Sequence, residues 1–378
     1  MKKQIFLLML SLSTIVSAQT NGISRETQNK VVTVLKKYID LGIPGIALTV
    51  YNEDKGYWSH AEGVSDIEKQ TSITEDHLFY LQSVSKTYMA VIILQLYEAG
   101  RLDLEDKITD YLNYEWLTKI DGVEKVTIKT LLNHTSGLAE YSTNPTLVSK
   151  IIQNPQDVLT VEEMVSHIAN RPLEFQPGSK YSYRNTNYAL LSLLADAITT
   201  DHMGYMKKTI FEKLGLHSTI YLSKDNLKKE LNIVEAYWDV LLEGIPVNIS
   251  LLQRANVSSM KGDDGMVATT KDAIGFLHGL VTGKLLGPQS LELMQEFTVN
   301  EKGEKKYGLG IQYYDLEVTY AIGHSGGGIG AGCLLLYLPE LNSYVFIATN
   351  FNTMMESPIR KKAENLQMDI LLALFTET

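Results

Sequence analysis

Strand-like segments at both ends of the chain enclose a long helical middle, and this arrangement constrains the fold more than any other feature. Residues 45–51 and 57–63 are predicted to be strands, and four more are predicted between residues 311 and 349. Between about residues 65 and 260, apolar residues recur mainly at helical spacing. Because both ends supply strands to one sheet, the sequence predicts an α/β fold into which a mainly helical lobe is inserted.

The composition agrees with one large domain built from two interleaved lobes. Of the 378 residues, 44% are apolar and 21% are charged, as in ordinary globular proteins, and no Pro/Gly-rich linker divides the chain. We therefore expect one domain over residues 19–378. Its α/β lobe takes about residues 24–64 plus 262–378, and its helical lobe takes about residues 65–261.

The first eighteen residues have the pattern of a secretory signal peptide. Lys2 and Lys3 precede an apolar stretch over residues 5–16, and small residues end at Ala18. The stretch is too short and too interrupted by hydroxyl residues to span a bilayer comfortably, and no later segment has transmembrane character. The only cysteine, Cys333, is far from the signal, which argues against lipid anchoring. We expect an exported protein, periplasmic or secreted, without stable membrane insertion after cleavage.

Charge and metal-ligand spacing exclude two further classes of function. The formal net charge is −10, and removal of residues 1–18 would take away two lysines and no acid, leaving −12. Such a chain is an improbable partner for nucleic acid. The eight histidines are scattered and the single cysteine has no neighbour of its kind, so we predict no metal site and no cofactor.

The segment Gly323-His324-Ser325-Gly326-Gly327 matches the G-x-S-x-G nucleophile elbow of α/β-hydrolases. That machinery needs a histidine after the serine, and none follows His324, so this interpretation is nearly discarded. A chymotrypsin-like arrangement could use the earlier His134, but its scaffold is a pair of β-barrels. The helical middle of this chain speaks against that scaffold.

A second candidate nucleophile lies in the S-x-x-K tetrad Ser83-Val84-Ser85-Lys86, at the start of the strongest predicted helix. Spacing of i, i+3 puts the serine and the lysine on one helix face, where the helix N-terminus adds free N–H groups and partial positive charge. Alone, the match also fits a serine N-cap followed by a surface lysine. The tetrad from Ser258 to Lys261 matches too, but it opens no clear helix.

Tyr183 and Asn185 place a phenol and an amide on one loop before another apolar helix. Packing tyrosines beside an Asn-rich N-cap would explain the same residues, and the chain has 21 tyrosines. The pair gains weight only in combination with other motifs.

Taken in order, the motifs resemble those of the serine β-lactamase and penicillin-binding superfamily. The similar branch contains class C β-lactamases, D-alanyl-D-alanine carboxypeptidases of the HxG type, D-aminopeptidases and esterases. The resemblance covers the chain from about residue 30 to 375, and it implies an antiparallel sheet flanked by helices. The segments that carry it are residues 83–86, 127–138, 183–185, 264–269, 307–310 and 324–326.

The resemblance implies a role for each motif. Ser83 would be the nucleophile, with Lys86 and Tyr183 handling protons, and which of the two deprotonates Ser83 stays open. Asn185 would hold the substrate's amide and orient Lys86. The remaining implied roles are a cleft-lining edge strand at His324, Ser325 and Gly326, and an oxyanion hole formed by the backbone N–H groups of Ser83 and Gly327.

Position 324 departs from the β-lactamase pattern, in which Lys-Thr-Gly usually stands there. A neutral histidine binds a carboxylate less well than lysine, so peptidase or esterase activity is favoured over strong β-lactamase activity. Arg184 is a candidate to offset that loss. We expect a serine hydrolase that acts through an acyl-enzyme on D-amino-acid peptides, amides or small esters. A β-lactamase and a non-catalytic binding or sensor module are the alternatives, and the oligomeric state stays unknown.

Overall fold

Twelve strands lie in the part of the chain that the computed structural model describes, which is residues 22–227, 229–316 and 319–376. In chain order they are β1 (Gly45–Asn52), β2 (Gly56–Asp66), β3 (Thr71–Ser72), β4 (Phe79–Tyr80), β5 (Thr219–Tyr221), β6 (Tyr237–Trp238), β7 (Val247–Asn248), β8 (Met266–Ala268), β9 (Gln312–Asp315), β10 (Tyr320–Gly327), β11 (Gly332–Leu338) and β12 (Ser343–Thr349).

Helices fill the middle of the chain and both ends. The α-helices are α1 (Arg25–Asp40), α2 (Ser85–Glu98), α3 (Ile128–Leu132), α4 (Pro145–Gln153), α5 (Val161–Val165), α6 (Asn185–Thr199), α7 (His202–Met206), α8 (Glu212–Leu214), α9 (Ser250–Ser259), α10 (Thr270–Val281), α11 (Pro288–Met294), α12 (Pro358–Lys362) and α13 (Leu366–Phe375). Short 3-10 turns cover Gln82–Val84, Ile108–Asp110, Leu117–Lys119, Val123–Lys125, Ser166–Ile168 and Pro339–Leu341, and Lys207–Phe211 is a π-helix.

The main sheet has seven strands in the order β3-β2-β1-β12-β11-β10-β9, and every neighbouring pair is antiparallel. The first and last strands of the chain meet inside it, with Ile46 of β1 opposite Thr349 of β12. The predicted fold class, an antiparallel sheet flanked by helices with a mainly helical insertion, is confirmed. The predicted signal peptide at residues 1–18 lies outside the described residues, as does Val318, predicted to begin a strand.

Alternating side chains of β12 show how the sheet is covered on both faces. Val345 and Ile347 belong to one hydrophobic cluster with residues of α1 and α13. Phe346 and Ala348 belong to the other cluster with residues of α2, α6 and α10. Because successive strand residues point to opposite faces, one apolar strand serves both layers.

A small sheet of order β4-β8-β5 lies beside the main one and was not predicted. Its strands are two or three residues long, too short to show a period of two. Phe79 pairs with Ala268 across the predicted lobe boundaries, and the Leu81 N–H donates to the Met266 carbonyl at 3.0 Å. This sheet therefore ties the start of α2 to the returning chain. Among the described residues, no helix has the length and apolar character needed to cross a bilayer.

Gly310 offers a test of how closely α2 packs. Its φ is 85°, and a Cβ there would lie 2.1 Å from the Ala90 Cβ of α2. Gly310→Ala is expected to lower the free energy of unfolding by about 3 kcal/mol, through left-handed strain and overpacking, as measured by urea denaturation. Gly303→Ala is the matched control, since Gly303 has φ 79° with open space around its Cβ position. A cost of only about 1 kcal/mol is expected there; equal losses in the two variants would contradict the packing argument.

Candidate active site

Ser83 lies in a tight turn between the small sheet and α2. The preceding residue, Gln82, is buried and has φ 48°, a left-handed conformation that is unusual for a side chain of its size. The turn brings the Ser83 Oγ within 2.8 Å of the Lys86 Nζ, which donates a hydrogen bond to it. The helix itself begins at Ser85 and has no side-chain cap. Ser83 is therefore not the ordinary N-cap that the tetrad alone would also allow.

Lys86 is fully buried, with none of its surface exposed. Its Nζ donates a second hydrogen bond, at 2.7 Å, to the backbone carbonyl of Asp263 just before β8. Burial lowers the pKa of Lys86, because desolvation disfavours the ammonium form. The nearby carboxyl groups of Asp263, Asp264 and Glu140 oppose this shift.

Tyr183 completes the group around Ser83. The Lys86 Nζ lies 5.2 Å from the centre of the Tyr183 ring. Burial raises the pKa of Tyr183 well above its ordinary value, and a hydrogen bond with Ser83 only partly offsets the rise. The phenol is therefore protonated at neutral pH, next to a lysine whose pKa is lowered by burial. The structure thus brings together the three residues predicted to carry the chemistry.

The His134 ring packs against the Tyr183 ring, with the two ring centroids 4.2 Å apart. The Ser136 hydroxyl donates to the Asn187 Oδ1 at 2.6 Å, so the Asn187 amide nitrogen is directed at the His134 Nδ1, 3.0 Å away. The His134 Nδ1 also accepts the N–H of Arg184 at 3.3 Å, which makes it the unprotonated nitrogen. This buried histidine orients the tyrosine loop and is not a general base for Ser325.

Glu140 fixes the other side of the same loop. Its carboxylate accepts the N–H of Asn185, the first residue of α6, at 2.7 Å, and the N–H of Ser142 at 3.0 Å. A carboxylate at the start of a helix satisfies a free N–H group and interacts favourably with the helix dipole. Glu140, from another loop, thus caps the helix that begins with Asn185, and the roles of Asn185 in holding the substrate's amide and orienting Lys86 stay predictions.

The sequence suggested that Arg184 would offset the missing lysine at position 324, but its guanidinium makes its contacts within the protein itself. Its guanidinium forms an ion pair with Glu174 and donates to the Tyr183 carbonyl at 3.0 Å. The charge of Arg184 is thus used to hold the loop, and the suggestion that it compensates for the missing lysine at position 324 is wrong.

The end of β10 forms the opposite wall of the site. A Cβ on Gly326 would lie 2.5 Å from the Leu81 carbonyl oxygen and 2.7 Å from the Cys333 Sγ, so only glycine allows this approach to the nucleophile turn. Among the described strands, β9 pairs with β10 only as far as Gly323, so residues 324–327 pair with β11 alone. The Gln312 Oε1 accepts the Ser325 N–H at 2.9 Å on the side that β9 leaves open. The cleft-wall role of residues 324–326 and the oxyanion roles of the Ser83 and Gly327 N–H groups stay predictions.

His324 is buried, and its Nε2 lies 2.9 Å from the Tyr307 hydroxyl. Burial lowers the pKa of His324 to about 3, so its imidazole is neutral at ordinary pH. The Ser325 Oγ donates to the Gln312 Oε1 at 3.1 Å, and no histidine nitrogen contacts it within the described residues. Ser325 therefore lacks the base that a nucleophile would need.

The other S-x-x-K tetrad is structural. Ser258 is buried in the last turn of α9, where its Oγ donates to the Arg254 carbonyl at 2.8 Å. Lys261 lies beyond the helix end. The packing context thus separates the two tetrads, which sequence spacing alone could not do.

Sequence reasoning missed two acidic residues of the site, Asp263 and Glu140. Asp263 is buried, and its Oδ2 accepts the Tyr141 hydroxyl at 2.8 Å. Burial raises its pKa to about 7 against the opposing effect of Lys86. The only signal for it was its position directly before the recognised segment 264–269. Within the described residues, no cluster of side chains has the composition of a metal site.

The sequence model of the family described as Beta-lactamase matches residues 29–368. Penicillin-binding protein 4 of Amycolatopsis lactamdurans is 26% identical over 324 residues, which cover 82% of this chain and 81% of the relative. Penicillin-binding protein 4* of Bacillus subtilis (strain 168) is 25% identical over 323 residues, covering 82% and 69%.

A solved structure shares the fold. The D-amino acid amidase from Ochrobactrum anthropi SV3, complexed with L-phenylalanine amide, superimposes with a TM-score of 0.76 over 92% of this chain and 98% of that chain. Their sequences are 21% identical, so this likeness establishes the architecture alone.

Asp264 makes the stability of the site depend on pH. Burial, reinforced by repulsion from Asp263, raises the pKa of Asp264 to about 8. The folded state then binds this proton more tightly than the unfolded state, so the group's stabilising contribution is complete below about pH 4 and is lost as pH rises through about 8. In Asp264→Asn the amide oxygen can still accept the Gly265 N–H. The free energy of unfolding of Asp264→Asn minus that of the wild type is expected to rise by more than about 1 kcal/mol between pH 5 and pH 9, because only the wild type loses this contribution.

Urea denaturation at the two pH values measures this change. Asp54→Asn, at an exposed acidic position, is the matched control and should show little pH-dependent difference from wild type. A relative stability of Asp264→Asn that is the same at pH 5 and pH 9 would contradict the expected titration.

Proposed function

Since this chain belongs to the beta-lactamase family and is a serine hydrolase, we propose that it works through an acyl-enzyme on Ser83. The observation that carries the proposal is the 2.8 Å hydrogen bond between the buried Lys86 Nζ and the Ser83 Oγ. A serine hydroxyl is a weak nucleophile until a base accepts its proton. The Lys86 nitrogen is within hydrogen-bond distance of that hydroxyl and can accept its proton when the lysine is unprotonated, and Tyr183 is the next proton carrier.

Lys86 is the general base in the proposed mechanism, and Tyr183 is the general acid. Burial lowers the pKa of the lysine and raises that of the tyrosine. A base must be unprotonated and an acid protonated at the start of the reaction, and the directions of the two pKa shifts support this assignment. The proposal thus assigns the two roles that spacing alone left open.

The proposed cycle conserves its protons. Lys86 accepts the Ser83 proton while the Ser83 Oγ bonds to the substrate carbonyl carbon, and the N–H groups of Ser83 and Gly327 stabilise the oxyanion. Tyr183 gives its proton to the leaving nitrogen or oxygen as the bond breaks, and it regains a proton from Lys86. Water then adds to the acyl-enzyme with the same groups acting in reverse and releases the acid.

The charges around the site favour a neutral leaving group. Burial keeps His324 uncharged, and the Arg184 guanidinium is paired with Glu174. Lys86 is the unprotonated base in the proposed mechanism and is bonded to Ser83 and Asp263, so the described residues leave no free cation at this site. A terminal carboxylate would enter without a partner, so amides and esters of D-amino acids are the proposed substrates, ahead of peptides with a free carboxyl end.

Export is part of the same proposal. It rests on residues 1–18 alone, with their two lysines, apolar stretch and small residues before the expected cleavage after Ala18.

A covalent probe tests the nucleophile. Incubation with a fluorophosphonate and, separately, with a fluorescent penicillin is expected to label Ser83, as read by peptide mapping. The intact mass of the protein recovered after expression also shows whether residues 1–18 have been removed. Ser83→Ala should abolish labelling, whereas Lys86→Met and Tyr183→Phe should slow turnover of an ester by about 100-fold or more.

Ser258→Ala is the matched control, because it alters the other S-x-x-K tetrad, and it should keep wild-type labelling. Label on Ser325 would overturn the mechanism. A folded protein that takes no label would instead support a binding or sensor module, and rapid turnover of a chromogenic cephalosporin would support a β-lactamase.

A pair of substrates that differ only in terminal charge tests the proposed selectivity. N-acetyl-D-alanyl-D-alanine ends in a carboxylate, and its C-terminal amide is neutral. The amide is expected to have a kcat/KM at least about tenfold higher, because no free cation meets the carboxylate. An equal or higher value for the acid, measured by release of D-alanine or its amide, would instead identify a carboxypeptidase.

A further inference from the structure

Large apolar side chains are exposed in two segments that flank the end of β10. In one segment, Leu241 is 69% exposed and Leu242 is 57% exposed. In the other, Met354 is 59% exposed. Their neighbours Val240, Ile245 and Met355 are also exposed. We call these six residues the apolar rim. Exposed apolar groups clustered in this way commonly mark a binding surface.

The loop that carries Leu241 and Leu242 is ordered by a buried acid. Asp239 has none of its surface exposed, and its two carboxylate oxygens accept the N–H groups of Glu243 and Gly244 at 3.0 Å each. Leu242 is held with φ 59°, which is strained for a leucine. The leucines are therefore presented to solvent by a fixed turn and do not fold back onto the core.

Met354 lies directly beside the proposed oxyanion hole. A Cβ on the exposed residue Gly327 would be 3.4 Å from the Met354 Cγ. The segment is fastened there by Thr353, whose N–H donates to the Gly328 carbonyl at 3.1 Å and whose Oγ1 accepts the Gly328 N–H at 3.2 Å. One methionine of the rim is thus within a side chain's length of the reacting carbonyl.

The leucine loop leaves the fold on the same side as Met354. Tyr237 and Phe351 form a parallel bridge, and the Asn352 N–H donates to the Tyr237 carbonyl at 2.9 Å. The two segments thus run side by side at this bridge, and each carries its part of the rim a few residues beyond it. Both are also bonded to the chain that follows β10, because the Tyr237 N–H donates to the Gly330 carbonyl and the Thr353 N–H donates to the Gly328 carbonyl.

The order of residues along β10 decides which part of a substrate meets the rim. His324 is near Tyr183, with ring centroids 6.2 Å apart, Gly326 touches the nucleophile turn, and Gly327 is beside Met354. Tyr183 gives its proton to the leaving group in the proposed mechanism, so the leaving group lies toward His324. The acyl group then lies toward Gly327 and the rim.

We propose that the apolar rim is the acyl-group subsite and that the substrates carry an apolar acyl portion, either an aliphatic chain or an apolar amino-acid side chain. This inference rests on the proposed acyl-enzyme on Ser83, because only that reaction divides a substrate into an acyl part and a leaving part. Methionine suits the task, since its flexible thioether adapts to groups of different shape.

A series of p-nitrophenyl esters tests the subsite, because the leaving group stays constant while the acyl chain grows. From acetate to hexanoate, kcat/KM of the wild type is expected to rise by about tenfold, as added methylene groups are removed from water. In Met354→Gln and in Leu241→Gln, the ratio of kcat/KM for the hexanoate to kcat/KM for the acetate is expected to fall to about one. Ile152→Gln, at a position on α4 that is 67% exposed, should keep the wild-type ratio.

Fluorophosphonate labelling of Ser83 in each protein separates the two proposals. If Ser83 is labelled but kcat/KM falls from acetate to hexanoate, or if the Gln variants keep the wild-type ratio, the subsite is wrong and the acyl-enzyme stands. If Ser83 takes no label, the proposed function itself fails. A third outcome would also overturn the subsite. In it, kcat/KM does not change with acyl-chain length, and the wild type forms dimers or binds phosphatidylcholine vesicles whereas Leu241→Gln does not. The rim would then have another occupant.

Discussion

The removal of one lysine nitrogen from water is the constraint around which this molecule is arranged. The Lys86 Nζ is buried and bonds to the Ser83 Oγ and the Asp263 carbonyl, groups that lie far apart in the sequence. A buried amine is costly unless it is hydrogen-bonded, so the turn before α2 and the chain entering β8 must both be in place. The small sheet of β4, β8 and β5 supplies that placement.

Polar residues outside the reacting group hold Tyr183 in the same way. His134 lies against its ring, Glu140 caps the helix that follows it, and Arg184 bonds to its carbonyl. His134 is neutral, Arg184 is paired with Glu174, and the Glu140 carboxylate accepts backbone N–H groups, so each side chain that holds the loop is itself held in place. A phenol that has to pass a proton in one direction benefits from such fixed surroundings.

The sequence reveals the layers of the fold and the reacting residues, but not the supporting contacts. α2 and β12 are long, mainly apolar segments that are buried almost throughout, and Ser83, Lys86 and Tyr183 lie in local motifs that resemble a known family. Asp263 and Glu140 could not be found in this way, because they meet Lys86 and Asn185 only through space. Arg184 was misinterpreted for the same reason, since its partner Glu174 lies on a separate loop.

The pairing of β1 with β12 has a consequence for how the chain acquires its structure. Ile46 and Thr349 are neighbours in the middle of the sheet, although nearly the whole chain separates them. The sheet therefore cannot close until its last strand has been synthesised, and contacts so distant in sequence form slowly because a long loop must be ordered first. During that interval β1 has only β2 as a strand partner, and its other edge, together with the apolar residues it carries, stays uncovered until β12 arrives.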